Sequence, residues 1–501
     1  METKVNYSGM KALVMGLGLN GGGLEAACYL VRYGAQLTVT DLRDEKILSP
    51  SIERLDAACS AAGSGSVRYV LGRHEMDDFT NADMVIKNPG VPPSSPYLQA
   101  ARCIETDISL FLARNPARLI AVTGSKGKSS TASAIHWILD GARKKFTDSA
   151  KTRTPSVLRG KAYLGGNITV SPLTFLDELQ SEDDVVLELS SWQLGDLKGR
   201  VSSGGLALLK PRAAILTAIM SDHMDRYASM DAYVNDKRVI YQGQDGGDFT
   251  IARNDSWGRS FHAESRGRAL VYSDIPLEKG ISGGWLTDPQ SPGFASFCDN
   301  PPPGLTAGEI IELVPSRPLV PGFHQKGNLL AAGLASLAHG LDCETIRELL
   351  GSFPGIEHRL EFFHSSNGVN FYNDSAATIP EAAAAAVDAL YEEAPLILVT
   401  GGTDKNLDFT PLVNAAPRAK AVILLKGTGS DKLCSEFDKR GTGYCGPFGS
   451  LKDVLQEVLD IARAGDSVVL SPGCTSFGMF LNEFDRGRKW KEAVFSVSSE
   501  Q

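Results

Sequence analysis

The chain has 501 residues, of which 43% are hydrophobic and 22% charged, and its formal net charge is −9. That length exceeds one ordinary core and implies about two to four domains of a globular, ordered protein. The acidic balance argues against a nucleic-acid surface, which needs clustered Lys and Arg to neutralise phosphates. Eight cysteines are scattered without a CxxC pair, the pattern of reduced thiols rather than of a disulfide framework or a zinc site. No stretch has the length of an apolar transmembrane helix, and the N-terminus lacks the layout of a signal peptide. The expected location is cytoplasmic, with no membrane partner.

In chain order, Ala12–Met15 reads as a strand running into a glycine-rich loop, then an apolar-periodic helix (LEAACYLVRYG) and a second strand (QLTVTD). This is a βαβ opening in which Gly16, Gly18 and Gly21 match GxGxxG. Glycine lets backbone approach a pyrophosphate, and the helix N-terminus supplies N–H donors. Asp41 ends the second strand, where an acid can meet a ribose or a base. Taken alone, the loop serves equally as a tight turn, and a nicotinamide dehydrogenase is the competing reading. The segment DMVIKNPGVP, 83–92, reads as a later strand ending in a turn.

A second strand–loop–helix start follows at RLIAVTG, 118–124. Its loop, Thr123-Gly124-Ser125-Lys126-Gly127-Lys128-Ser129-Ser130, has the working end of a phosphate loop. Backbone N–H groups cradle phosphates, Lys128 reaches the terminal ones, and the Ser129 hydroxyl can hold Mg²⁺. It departs from a strict Walker A because Val122 stands where the first glycine belongs. Further strands are read at VVLELS (185–190), which carries Glu188, and at AAILTAIM (213–220). A carboxylate at a strand end downstream of a phosphate loop suits Mg²⁺. Asp222, His223 and Asp225 follow the second of these strands. Lys237 lies on an amphipathic helix one turn after Tyr233, and by residue chemistry alone a helical lysine belongs to a solvated face.

The third unit begins near Pro354–Gly355 with VNFYNDSA, a helical alanine run, and the buried-strand candidates PLILVTGG, AKAVILLKG and DSVVLSPG. Strands alternating with helices predict parallel α/β sheets throughout, with ligands at the carboxyl ends of the strands. Two stretches read as inserted surface loops: the basic 142–162 and the Gly/Pro/Ser-rich 278–305.

The strings TGSKGKSS, LGGNI, LELSSWQL, DHMDRY, YVNDKRVIY, HRLEF, YNDS, GGTDKNLDF and LSPGCTSF, in this order, resemble the Mur ligase family. Within it they resemble the members that add glutamate to UDP-N-acetylmuramoyl-alanine. The resemblance runs from GLGLNG to NEFDRG, nearly the whole chain. It implies an α/β fold of three domains: a Rossmann-like UDP-substrate domain (1–106), a central P-loop ATPase-type domain (107–354) and a C-terminal Rossmann-like amino-acid domain (355–501).

It also implies roles for single residues. Leu19, Asn20, Asp41, Arg43, Asn88 and Gly90 would contact the uridine diphosphate part. Asn167, Ser190 and Gln193 would contact the muramoyl-alanine end. Gly124 to Ser130, with Asn328, Arg359 and Asp374, would bind ATP. Ser129, Glu188, His223 and Lys237, the last carrying a CO₂-derived carbamate, would hold two Mg²⁺ ions. Lys128, Glu188, His223 and Lys237 would be catalytic. Thr378, Lys405, Ser476 and Phe477 would face the glutamate.

The implied reaction is ATP-dependent ligation of D-glutamate to UDP-N-acetylmuramoyl-L-alanine through an acyl phosphate, in cytoplasmic peptidoglycan precursor synthesis. The implied partners are these small molecules, and the implied state is a monomer. Two departures stand out. Ala376 replaces the usual lysine of NDSKAT, and Glu483 stands where an aromatic residue is common. They keep two alternatives in view: an L-glutamate-adding version of the ligase, or a folylpolyglutamate-synthase-like enzyme.

Overall fold

The structure, a computed structural model, describes residues 6–19, 21–63, 67–148, 158–168, 170–224 and 226–498. The chain builds three β-sheets in succession. The first has five strands, in the order Arg68–Leu71, Gln36–Asp41, Lys11–Met15, Met84–Lys87, Ile104–Glu105, all parallel. The second has nine. Seven run parallel, from Gly283–Trp285 through Arg268–Ser273, Phe249–Arg253, Ala213–Leu216, Arg118–Thr123 and Asp184–Glu188 to Ala162–Gly166. The third has six, centred on Ser467–Leu470 and Leu396–Thr400.

The local reasons are those of covered parallel sheets. Asp184–Glu188 and Leu396–Thr400 are buried at every position, because helices cover both faces and the strands read as continuous apolar runs. The helix Phe323–His339 buries nearly its whole length against the central sheet and ends at Gly340, whose φ of 106° gives a left-handed stop.

Three sequence expectations need correction. The sheets are not parallel throughout: beyond Gly283–Trp285, which joins in parallel, Gly293–Ser296 and Ile310–Val314 add two antiparallel pairings at the edge of the central sheet, and Glu361–Ser366 runs antiparallel to Val369–Asn373. Residues 278–305 are therefore not a plain surface loop. Their glycines permit close approach: a Cβ on Gly284 would come within 2.7 Å of Leu330 and 2.9 Å of the Phe294 carbonyl. The stretch 142–162 is also more than a loop. The helix Lys128–Asp148 runs into it, and Arg143 is buried and bonded to the buried Asp184. The basic reading missed that a buried carboxylate needs a partner. Residues 149–157 of that stretch lie outside the described residues.

What this architecture does for function is geometric. Parallel strands place their carboxyl ends on one edge, and the loops leaving Met15, Asp41, Lys87, Thr123, Gly166, Glu188, Leu216, Asn373, Thr400 and Leu470 carry most of the residues singled out above, while Lys237 and Asn328 ride on helices and Arg359 precedes a strand.

Candidate active site

Register sets the centre of the site. Gly166 pairs with Glu188, Glu188 with Val122, and Thr123 with Leu216. The loops after these strands therefore emerge side by side. The phosphate loop leaves Thr123 with two glycines in conformations that a side chain would block. Gly124 (φ 146°) sits against Thr217, where a Cβ would overlap the threonine hydroxyl. Gly127 (φ 91°) sits against the Asn328 amide in the same way. Asn328 thus packs on the loop, with its Nδ2 donating to Gln325 Oε1 at 3.0 Å.

Ser125 is spent on structure. Its Oγ bonds the Met220 carbonyl at 2.9 Å and the Tyr233 hydroxyl at 2.9 Å, and its N–H and that of Lys126 both go to Ala218 O. Lys128 curls back, with Nζ donating to the carbonyls of Gly124 and Ser125, both at 3.0 Å. Burial depresses its pKa, and Lys126 and Arg359 add to that, while Glu188 and Asp222 oppose it. Ser129 and Ser130 open the following helix, half-buried.

Lys237 does not lie on a solvated face. It is 1% exposed, its Nζ donates to Gly124 O at 2.8 Å, and it lies 4.5 Å from the centre of the Tyr233 ring. Burial, reinforced by the Lys128 charge, pushes its pKa down to about 7. Gly124 O thus receives two ammonium groups. Glu188 is equally buried. One carboxylate oxygen accepts from Asn167 Nδ2 at 2.8 Å, while Oε2 has no hydrogen-bond partner among the described residues. A buried carboxylate oxygen left without a donor is costly and marks a place for a cation. His223, at φ 55°, is half-exposed and packs on Trp192 at 4.9 Å. Asp225 and Asn20 lie outside the described residues.

The first sheet contributes a second cluster. Asp41 is buried, and burial pushes its pKa up. Arg43, through Nε and Nη2 at 3.1 Å and its backbone N–H at 3.0 Å, together with Gly18 N–H, outweighs this and holds the carboxyl below its ordinary range. Leu19 is exposed beside it. Asn88 donates to Gly16 O at 3.2 Å and accepts from Gly90 N–H at 3.0 Å, so the two glycine turns are tied together. Ser190 and Gln193 bond each other in a capping box that starts the helix Ser191–Leu197.

In the third sheet, Asp374 accepts from Ser471 Oγ at 2.6 Å and from Leu360 N–H at 3.1 Å. Burial raises its pKa to about 7 against Arg359 and Arg486. The loops bearing Lys405 and Ser476 are paired through Thr403 and Thr475. Ser476 is buried, Thr378 half-buried, and Lys405, Phe477 and Arg359 exposed. Sequence reasoning missed Arg486. Its fully buried guanidinium bonds the Ser375 carbonyl at 2.8 Å and the Cys474 carbonyl at 3.1 Å, clamping two site loops. Nothing in a surface-looking DRG string signals that burial. Asp236, beside Lys237, was missed as well; it is half-buried and accepts from the Tyr227 hydroxyl at 3.0 Å.

A pH prediction follows from Asp374. Its folded pKa stands above the ordinary 3.8, so its stabilising contribution is complete below about pH 4 and is lost as pH rises through about 7. Asp374→Asn is therefore expected to raise the melting temperature at pH 8 by about 2–4 °C, the shift that about 1 kcal/mol gives a domain of this size. A clearly smaller gain is expected at pH 5, where the loss has only begun, and calorimetry at both pH values is the check. An equal gain at both would mean the carboxyl does not ionise in this range.

Comparison with known proteins agrees along the whole length. Residues 10–109 match the Mur ligase MurD-like N-terminal domain, 122–280 the Mur ligase middle domain, and 358–474 the Mur ligase glutamate ligase domain. The UDP-N-acetylmuramoylalanine–D-glutamate ligase of Treponema pallidum is 38% identical, covering 98% of this chain and 99% of that protein. The protein of the same name from Roseiflexus sp. is 36% identical, covering 99% and 100%. Among solved structures, UDP-N-acetylmuramate-alanine ligase MurC from Thermotoga maritima shares the fold, with a TM-score of 0.53 at 16% identity over 97% of this chain and all of that one. Matched in all three of its parts and aligned nearly end to end with D-glutamate ligases, the chain belongs to the Mur ligase family.

Proposed function

We propose that this chain ligates D-glutamate to UDP-N-acetylmuramoyl-L-alanine with ATP, through an acyl phosphate, in peptidoglycan precursor synthesis. We assign it to the cytoplasm as a monomer, with residues 1–106 for the UDP substrate, 107–354 for ATP and 355–501 for glutamate. Among the described residues no helix is long and apolar enough to cross a membrane. The observation that carries the reading is the convergence of Lys128, Lys237 and the half-satisfied Glu188 around one phosphate loop. Two lysines on one carbonyl, with a buried carboxylate that keeps one oxygen unpartnered among the described residues, suit a crowded set of phosphate oxygens.

Mur ligases use ATP and Mg²⁺. Ser129, Glu188, His223 and a carbamate on Lys237 are the groups that would hold the metal, and the free Glu188 Oε2 fits that demand. Mg²⁺ supplies charge neutralisation for the transferring phosphoryl group. The alanine carboxylate attacks the γ-phosphorus, ADP leaves, and glutamate's amine then displaces phosphate from the acyl carbonyl. Lys128 neutralises oxygens during the first transfer. Asn328 holds the nucleotide from the central sheet, and Arg359 and Asp374 hold it from the third. Lys405, Ser476, Thr378 and Phe477 orient the amino acid, and closure of the third sheet over the loop keeps water from the acyl phosphate.

The Ala376 departure bears on glutamate alone. Its neighbour's carbonyl is already held by Arg486, so a cation sits close by without the usual lysine. Ala376→Lys is expected to change the KM for glutamate about fivefold or more and that for ATP less than about twofold, the scale of one charge-assisted contact to a carboxylate. Steady-state titration of each substrate decides, and equal effects would remove position 376 from the amino-acid pocket.

The defining test is phosphate release and product mass with ATP, Mg²⁺ and UDP-N-acetylmuramoyl-L-alanine, comparing D- with L-glutamate. A glutamyl product from D-glutamate alone is expected. Product from L-glutamate alone would overturn the stereochemical assignment, and absence of product from both would overturn the acceptor.

A further inference from the structure

Between the first and central sheets lies a contact that the reaction itself does not use. Lys87, the last residue of the strand Met84–Lys87, sends its ammonium to Asp196 on the helix Ser191–Leu197, with Nζ to Oδ2 at 2.6 Å. The two side chains are 4% and 9% exposed. Just beyond, Arg226 donates to the Gly90 carbonyl at 2.9 Å while its guanidinium lies 3.9 Å from the centre of the Trp192 ring. Arg200 completes the set, reaching from the Asp196 carbonyl to Glu105 Oε2 at 2.6 Å. These groups border a cavity of about 260 Å³ lined by Lys87, Trp192, Asp196, Arg226, Tyr227 and Asp236.

The position of these contacts matters more than their number. The turn Asn88–Gly90 is gripped at both ends, by Lys87 immediately before it and by Arg226 on its last carbonyl. The partner helix begins with the Ser190–Gln193 cap and touches the Lys237 helix closely. A Cβ on Gly195 would come within 2.7 Å of Asp236 Oδ2, and Asp236 also accepts from the Tyr227 hydroxyl at 3.0 Å. A continuous packed path therefore runs from the nucleotide turn to the element that carries Lys237. An apolar contact would tolerate sliding. A buried, directional ion pair tolerates one arrangement, because displacing either partner leaves a desolvated charge alone.

We propose that Lys87, Asp196 and Arg226 are positioning residues for the UDP-linked substrate, a latch that holds the 88–90 turn in register with the helix Ser191–Leu197. This rests on the function proposed above. A ligand anchored on the first sheet and reacting on the central one is bound well only if the two are already in register, since otherwise binding must supply the ordering. ATP and glutamate make no use of the first sheet, so their binding does not depend on the latch.

The test is a set of KM values for the full chain. Lys87→Met and Asp196→Asn are each expected to raise the KM for UDP-N-acetylmuramoyl-L-alanine about tenfold. The KM values for ATP and glutamate should stay within about twofold, and so should kcat. The charge-swapped Lys87→Asp/Asp196→Lys protein should recover most of the loss, which assigns it to the pair, while a rise confined to one KM is what a merely structural role would not produce. Arg226→Gln leaves the buried pair intact and carries the same expectation, so the test survives if a buried variant fails to fold. An unchanged UDP-substrate KM, or an equal rise in all three, overturns the latch. The wild-type control separates the two readings. Absence of wild-type turnover defeats the proposed function and the positioning role with it, whereas wild-type turnover with indifferent variants defeats the latch alone.

Discussion

Lys128→Ala is expected to lower kcat by about 1000-fold or more while leaving the fold intact. Its ammonium is half-buried, bonded among the described residues to the two carbonyls of its own loop, and carried on the first turn of a long helix. The fold asks little of it, since a small side chain at that position creates no buried unpaired charge. The reaction asks much. Removing one preorganised donor from a developing oxyanion costs about 100- to 1000-fold, and a full positive charge in a water-poor pocket is worth more than a neutral donor. Phosphate release at saturating substrates, with a melting curve beside it, reads both quantities. Near-wild-type turnover would remove the loop from the ATP site, and a collapsed melting curve would move Lys128 from catalysis to folding.

The second large effect is expected at Lys237. A cation buried against Lys128 is unfavourable, and the amine responds with a pKa near 7. That makes it a nucleophile for CO₂ at neutral pH, because only the neutral amine forms a carbamate. A carbamate there would replace a repelled ammonium by an anionic oxygen pair, the kind of ligand a hard cation takes. Lys237→Ala should lose about 100-fold or more in kcat, on the scale of a lost electrostatic partner. Formate or another small carboxylate should restore part of it by occupying the vacated space. In the wild type, activity should fall as pH drops below about 7, and bicarbonate should recover part of that fall. Full activity of the alanine variant would end the carbamate reading. Loss without rescue, together with indifference to bicarbonate, would leave Lys237 as an amine that only braces Gly124 O.

Much of the fold was legible in the residues. The three strand–loop–helix starts, the buried apolar strands and the order of glycine turns all stand where periodicity places them, because those signals are local. The edge strands between 283 and 314 were not legible. Short glycine-rich segments look like turns until a sheet edge is present for them to join. The phosphate loop was readable because its glycines and Lys128 lie in one short string between a strand and a helix. Ser125, Ser190 and Gln193 show the limit. Their hydroxyls and amide are taken up by a neighbouring carbonyl or by a helix cap, and no string discloses which partner a polar group will find.

The sequence by itself therefore determined an α/β chain with a phosphate loop, the placement of its candidate groups at strand ends, and the family whose motif order it follows. Tertiary structure alone decided that Lys237 is buried rather than solvated, that Glu188 keeps an oxygen unpaired among the described residues, that Asp374 holds its proton to about pH 7, and that Lys87 meets Asp196 across 109 positions of chain. The physical reason is common to all four. Desolvation and charge pairing depend on which distant segments close around a group, and they alter its chemistry without altering a single letter of its motif.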